Sequence, residues 1–127
     1  MRKMACAAIA LAATLLVAQP ALSTCQAHAD RHVVLYGAGD DPAVFLWDSR
    51  FRLRAYHIAT FDEAQAMLPR ALLVGGGTRA VIMRCLPRYV QAPYGLGVDD
   101  AVEVRILSGP LRGRTGWVSG SDARRAR

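Results

Sequence analysis

The chain has little of the side-chain chemistry that most enzymes use. Its 127 residues include only three cysteines, three histidines and a single lysine, Lys3. No two histidines are spaced to lie on one face of an element, so we predict no metal site. Ser119 and Asp122 have no histidine at a recognisable spacing that would make the serine a nucleophile. We therefore expect a protein that is not an enzyme and that uses no cofactor.

Apolar runs long enough to cross a membrane are also missing. Residues 5–18 are apolar and uncharged, but a transmembrane helix needs about 20 such residues. This run follows Arg2 and Lys3 and precedes the sequence Ala-His-Ala at 27–29. A basic head, a short apolar core and small residues at a cut are typical of a secretory signal peptide. We predict that residues 1–29 are such a peptide and that the mature protein is periplasmic or secreted, in a bacterium.

The position of the cut decides the fate of the cysteines, and the sequence leaves three alternatives. A cut after Ala29 leaves Cys85 alone, as a small buried apolar residue. A cut after Ser23 retains Cys25, which is then able to pair with Cys85 in an oxidising compartment. The sequence Leu-Ser-Thr-Cys at 22–25 also resembles a bacterial lipobox, in which Cys25 is lipidated and becomes the first residue. Membrane attachment is expected only in that last case.

The charge of the mature chain limits its partners. Removal of Arg2 and Lys3 from the sixteen basic residues leaves fourteen, and all ten acidic residues remain, so the mature net charge is +4. A moderate positive charge favours anionic surfaces such as wall polymers. Export argues against nucleic acid as the partner. About a hundred residues suffice for one small core, so residues 30–127 are predicted to form a single domain.

Hydrophobic patterning predicts a mainly β domain with one short helix. Thr60 and Glu63 fit a capping box that starts a helix over residues 61–68, ending at Pro69 and burying Phe61. Residues 87–100 are predicted to be a loop and residues 121–127 a frayed tail. Short apolar or alternating runs predict six strands, at residues 32–36, 43–47, 51–55, 71–74, 78–86 and 102–106.

The most patterned stretch predicts a tight hairpin and carries a resemblance. Residues 102–118 (VEVRILSGPLRGRTGWV) run from a strand through a Gly-rich turn to Gly-Trp-Val. This stretch resembles the closing hairpin of bacterial SH3-like (SH3b-type) domains, and GGGTRAVIMR at 75–84 looks like an earlier strand of that family. The resemblance covers residues 74–122. It implies a small SH3-like barrel with its core at about residues 71–122. The same stretch is similar to the KOW motif, which has an SH3-like barrel too, but the predicted export argues against the intracellular role of KOW domains.

The resemblance also implies a ligand-binding surface. Trp117, Tyr89 and Tyr94 are candidates for an aromatic groove of the kind that SH3-like folds use for peptides or sugars, and Arg112 and Arg114 are candidates to contact carboxylates or phosphates. The alternative is that Trp117 belongs to the core and the arginines form a solvated turn. We expect an exported, non-catalytic binding or accessory protein of the bacterial envelope that recognises peptidoglycan or an envelope protein. The alternative is a structural envelope protein, lipidated or not, without a small ligand.

Overall fold

The computed structural model describes residues 24–27, 31–37, 41–92 and 97–126; the predicted signal peptide up to residue 23 and the candidate Tyr94 lie outside these residues. The α-helices are α1 (Thr24–Ala27), α2 (Arg50–Ile58) and α3 (Phe61–Met67). One-turn 3₁₀ helices occupy Leu68–Arg70 and Gly120–Asp122. The strands are β1 (His32–Leu35), β2 (Ala43–Leu46), β3 (Leu72–Gly75), β4 (Thr78–Gln91), β5 (Val98–Ile106), β6 (Thr115–Ser119) and β7 (Ala123–Arg125).

The strands form two antiparallel sheets, so the prediction of a mainly β protein is confirmed. The larger sheet has the order β6-β5-β4-β1-β7, and β2 pairs with β3 in the smaller one. Neither sheet closes into a barrel within the described part of the chain. The large sheet is also not confined to residues 71–122, since β1 lies between β4 and β7.

The predicted hairpin is present as β5 and β6. Val104 pairs with Gly116 and Val102 with Val118. The turn between the strands contains Gly109 and Gly113, whose φ angles of 80° and 86° favour glycine. The Gly-rich spacing of this stretch therefore builds a tight reversal that brings Trp117 back beside β5.

Residues 51–55 were predicted as a strand, and this prediction is wrong because they lie in α2. Ser49 caps the helix, with its Oγ accepting a hydrogen bond from the Arg52 backbone N at 3.2 Å. Leu53 is buried on one face of the helix. Five alternating residues are too few to distinguish the two-residue period of a strand from the 3.6-residue period of a helix. The cap at Ser49, just before them, favours the helix.

Helix α3 is confirmed with its capping box, but its predicted burial is wrong. Thr60 Oγ1 accepts from the Glu63 backbone N at 3.4 Å, and the Thr60 backbone N donates to Glu63 Oε2 at 3.3 Å. Phe61 is 77% exposed. The capping contacts join residues three positions apart and can therefore be predicted from the sequence. The burial of Phe61 depends instead on which other elements pack against the helix. The sequence predicted one helix, whereas the described residues also form α2.

Strand β4 continues beyond Pro87, where the sequence predicted that it would end. Its pairing with β5 shifts register between Leu86 and Val90. Such an irregularity accommodates a proline, which has no N–H for the ladder. Within it Arg88 has a φ of 54°, and its backbone N donates to Asp100 Oδ1 at 3.0 Å. Within the predicted loop at residues 87–100, residues 87–91 and 98–100 are therefore strand.

The tail and the N-terminal segment also belong to the fold. Strand β7 pairs with β1, with Ala123 opposite Leu35, so the prediction of a frayed tail is wrong. At the other end, Cys25 in α1 forms a disulfide with Cys85 in β4, with Cα atoms 5.6 Å apart. This is one of the pairings that the sequence left open.

Strands β5 and β6 are buried on both faces, which creates two packed clusters. Val102 and Val118 face a cluster shared with β2 and β3, while Ala101 and Trp117 face a second cluster beneath α2. Leu53 is the residue of α2 that fills this second cluster. None of the helices in the described ranges has the length and apolar character needed to cross a membrane.

Candidate functional site

A cavity of about 160 Å³ opens where three parts of the fold meet. Aromatic side chains from β2, from the residue after it and from α2 form one wall. Polar side chains from α2, from the end of β6 and from the 3₁₀ helix after it form an edge. Gly37 and Asp41, which lie between β1 and β2, line the remaining side. Its lining residues are Gly37, Asp41, Ala43, Val44, Phe45, Trp47, Leu53, Tyr56, His57, Ser119, Ser121 and Asp122.

The aromatic wall is built from a contiguous ring cluster. The Trp47 and Tyr56 ring centroids are 4.9 Å apart, and those of Phe45 and Tyr56 are 5.9 Å apart in an edge-to-face arrangement. Trp47 is buried, so it mainly supports the other two rings, which are half-buried. Such a wall is suited to the apolar face of a sugar or to a cation, because ring faces are electron-rich.

The polar edge is a chain of hydrogen bonds between residues far apart in sequence. Ser119 Oγ lies 3.2 Å from His57 Nε2 and 3.5 Å from Asp122 Oδ2. An ionised carboxylate only accepts, so the hydroxyl donates to Asp122. The hydroxyl proton is then engaged, so His57 Nε2 carries a hydrogen and donates to Ser119 Oγ.

This arrangement differs from a Ser–His–Asp triad. In a triad the carboxylate binds the imidazole nitrogen remote from the serine, and the imidazole accepts the serine proton. Here Asp122 contacts the serine itself, and among the described residues no carboxylate is hydrogen-bonded to His57. Ser119 is also only 4% exposed, which leaves little access for a substrate. The geometry positions donors and acceptors rather than a nucleophile.

Burial shifts the protonation of the polar edge. Desolvation raises the pKa of Asp122 to about 6, with the nearby Asp99 carboxylate adding to the rise and the hydrogen bond from Ser119 opposing it. Desolvation lowers the pKa of His57, partly offset by the attraction of Asp99. At neutral pH the cavity therefore presents a neutral imidazole and an ionised carboxylate.

A second carboxylate, that of Asp41, lies on the loop side of the cavity. It also raises the pKa of Asp122, as expected of a nearby negative charge. Its Oδ1 accepts from the Ala43 backbone N at 3.2 Å, which fixes the start of β2. Gly37 permits this loop geometry, because a Cβ there would lie 2.6 Å from the Ala43 carbonyl oxygen. The cavity thus combines rings with two acidic groups.

The residues predicted from the sequence do not line this cavity. Trp117 is 4% exposed and packs beneath α2, as in the alternative interpretation, and the Arg84 guanidinium lies 5.4 Å from its ring centroid. Arg112 and Arg114 are exposed in the β5–β6 turn. Tyr89 is half-buried against the α2 cluster, with the Arg54 guanidinium 5.2 Å from its ring centroid. Among the described candidates, none lines the cavity.

No sequence pattern joins the residues that line the cavity. His57 and Ser119 are 62 positions apart, and only the packing of α2 against the end of β6 brings them together. Tyr56 lay in a segment predicted to follow a strand, so its side could not be assigned. The serine and aspartate at 119 and 122 were noticed, but their histidine is identified only by tertiary structure.

One further cluster contains three residues of types that bind metals. Cys25, Cys85 and Asp100 have ligand-type atoms within 4.8 Å of one another. The two sulfurs are bonded to each other, and the Asp100 oxygens accept from the backbone N atoms of Cys25 and Arg88, each at 3.0 Å. In this oxidised state the cluster is a structural clamp.

No protein-family model, curated protein or solved structure matches this chain. Its function is therefore inferred from the cavity and the disulfide themselves. The class that these features define is a small, disulfide-bonded β protein with an aromatic and acidic cavity between a sheet, a helix and a turn.

Proposed function

We propose that this chain is an exported, non-catalytic binding protein of the bacterial envelope that recognises peptidoglycan. The observation that carries the proposal is the cavity between β2, α2 and the end of β6, where half-buried rings face two carboxylates. Ligand sites are typically concave and largely apolar, with a few placed polar groups. The ligand site is therefore assigned to this cavity instead of to Trp117.

The chemistry of the lining favours a protonated amine or an amino sugar. Tyr56 and Phe45 offer ring surfaces, and a cation is attracted to the faces of such rings. Asp122 and Asp41 supply negative charge on the opposite edge. Peptidoglycan carries amino sugars and free amines on its peptides, so it matches this combination. The net charge of +4 of the mature chain also favours an anionic polymer as the overall surface.

Export is supported by the leader-like N-terminus and by the disulfide. Disulfides persist in the periplasm and outside the cell, and they are rare in the bacterial cytosol. Cys25 and Cys85 are bonded, and the segment between them encloses most of the domain. Both features agree with a periplasmic or secreted protein.

An SH3-like relationship is part of the proposal. The β5–β6 hairpin with Trp117 agrees with the closing hairpin of that family, and Trp47 makes a backbone bridge to Trp117 that joins the two sheets. We propose that the fold is an opened SH3-like barrel. The function does not depend on this relationship.

Binding is tested by co-sedimentation of the mature protein with purified peptidoglycan over a range of salt concentrations. Tyr56→Ala is expected to weaken binding by about two- to thirtyfold, since a cation–π contact with one ring contributes on the order of 0.5–2 kcal/mol. The matched control is Phe51→Ala, an aromatic residue on the same helix that is 65% exposed and does not line the cavity. The control is expected to pellet like the wild type.

Other outcomes identify other functions. Loss of pelleting in the double variant Arg112→Ala, Arg114→Ala, with Tyr56→Ala unaffected, would move the site to the β5–β6 turn. Pelleting that disappears at high salt in every variant would reduce the interaction to net charge. Absence of pelleting for the wild type would contradict peptidoglycan as the ligand and favour an envelope protein partner or a structural role.

A further inference from the structure

The four residues of α1 are held to the domain by three separate contacts. Cys25 is disulfide-bonded to Cys85, and its backbone N donates to Asp100 Oδ2 at 3.0 Å. The Thr24 side chain lies against Gly120, where an added Cβ would be only 2.6 Å from Thr24 Oγ1. These contacts involve three different residues of the domain, Cys85, Asp100 and Gly120, so the segment has a defined docking place.

The buried side chain of Asp100 accepts a hydrogen bond that depends on the presence of α1. Its side chain is 2% exposed, and its two oxygens accept from two backbone N atoms, that of Arg88 at Oδ1 and that of Cys25 at Oδ2. Removal of residue 25 would leave one oxygen of a buried carboxylate without its donor, which is costly in a protein interior. It would also leave Cys85 without its partner.

The three processing routes differ in whether these contacts survive. A cut after Ala29 removes the whole of α1 together with Cys25. Lipidation keeps Cys25 but converts its sulfur to a thioether with a diacylglyceryl group, which excludes a disulfide at the same atom. A cut between Ser23 and Thr24 keeps both the sulfur and all three contacts.

We propose that the mature protein begins at Thr24 and is unlipidated, its first residues being fastened to β4 by the Cys25–Cys85 disulfide. A signal peptidase hydrolyses the Ser23–Thr24 peptide bond: one water is consumed, the bond to nitrogen breaks, and a carboxylate forms on Ser23 and an amine on Thr24. The two cysteine thiols then lose two protons and two electrons to a thiol–disulfide oxidant of the compartment, and the sulfur–sulfur bond forms.

This inference rests on the export proposed above, and it decides between a free and a lipid-anchored envelope protein. Ala21 and Ser23 are small residues at the positions that signal peptidases require before a cut. Cys6 leaves with the leader, so the mature chain retains two cysteines, which are the two that are paired.

The test is intact-mass analysis of the full chain expressed in a bacterium and recovered from the envelope, with alkylation before and after reduction. The expected mass is that of residues 24–127, with no alkylated thiol before reduction and two after it. A chain that begins at Asp30, or that carries a lipid on Cys25, would overturn the inference while leaving export intact. An uncut chain that begins at Met1 and stays in the cytosol would instead contradict export itself.

A cysteine variant separates the two enzymes that could process the leader. Lipoprotein processing requires the Cys25 sulfur, whereas hydrolysis at Ser23–Thr24 does not. Cys25→Ser is therefore expected to be cut at the same bond as the wild type, and Cys85→Ser is expected to be cut there too, with one alkylatable thiol. Accumulation of the uncut chain in Cys25→Ser alone would show that the sulfur is needed and would refute the proposed route.

Discussion

Trp47 and Trp117 are joined through their backbones, with Trp47 N donating to Trp117 O at 2.9 Å and Trp117 N donating to Trp47 O at 2.7 Å. This pair is the one isolated bridge found in the described residues, and it links the end of β2 to β6. The two sheets are therefore coupled at the position where the cavity begins. Displacement of this bridge is expected to disturb the fold and the site together.

Gly116 is next to this bridge and leaves no room for a side chain. A Cβ there would contact Leu46 Cγ and would lie 2.8 Å from the Trp47 carbonyl oxygen. Gly116→Ala is expected to lower the free energy of unfolding by about 1–3 kcal/mol, because backbone on one side cannot move away cheaply. Urea denaturation measures the change. Gly75→Ala is the control, since nothing lies within 4 Å of its Cβ position; an equal loss in both variants would contradict the steric explanation.

Replacement of Asp100 by asparagine is expected to weaken the clamp at α1 and β4. An amide offers one oxygen and one NH₂ group where two backbone N–H groups now point, so one N–H loses its acceptor. Asp100→Asn should reduce the free energy of unfolding by about 1–3 kcal/mol. Asp48→Asn is the matched control: its exposed ion pair with Arg52 is worth at most about 1 kcal/mol. If thermal denaturation shows equal losses for the two variants, the clamp has no special role.

The disulfide is expected to be a major source of stability. Cys25 and Cys85 are 60 positions apart, and removal of a native disulfide from a small exported domain typically costs about 2–5 kcal/mol. The double variant Cys25→Ser, Cys85→Ser should unfold at lower urea concentration than the wild type. Reductant should destabilise the wild type by a similar amount and leave the double variant unchanged. A wild type that is insensitive to reductant would show that the bond contributes little.

The pH dependence of stability should reveal the half-buried Asp122. Its pKa of about 6 lies above the 3.8 of an ordinary aspartate, so between about pH 4 and pH 6 the folded chain holds a proton that the unfolded chain has released. The stability contributed by the neutral carboxyl is therefore present below about pH 4 and lost as the pH rises through 6. Its full size is on the order of 2–3 kcal/mol.

Asp122→Asn removes this titration. The free energy of unfolding of the variant relative to the wild type should rise between pH 4 and pH 6 and then level off. His57 has a lowered pKa, so its contribution is present above about pH 6.5 and declines as the pH falls; it is shared by both chains and largely cancels in the difference. A difference that is constant from pH 4 to pH 7 would show that Asp122 titrates normally.

Several elements were predictable because their signals are local. The capping box of Thr60 and Glu63 starts α3 with contacts three residues apart, and the glycines of the β5–β6 turn fix a reversal within one stretch. The strand prediction at residues 51–55 was wrong because five alternating residues fit both the period of a strand and that of a helix, and Ser49 caps a helix there. The cavity was not predictable, because His57 meets Ser119 only after α2 packs on the sheet.

The mainly β character, the leader-like N-terminus, the capped helix and the Gly-rich hairpin were all predictable, since each depends on neighbouring residues. The burial of Trp117, the Cys25–Cys85 disulfide and the position of Ser119 between His57 and Asp122 follow from tertiary packing. The physical reason is that burial and long-range contacts depend on which surfaces pack together. That information is spread over distant positions, and no single stretch of this chain contains it.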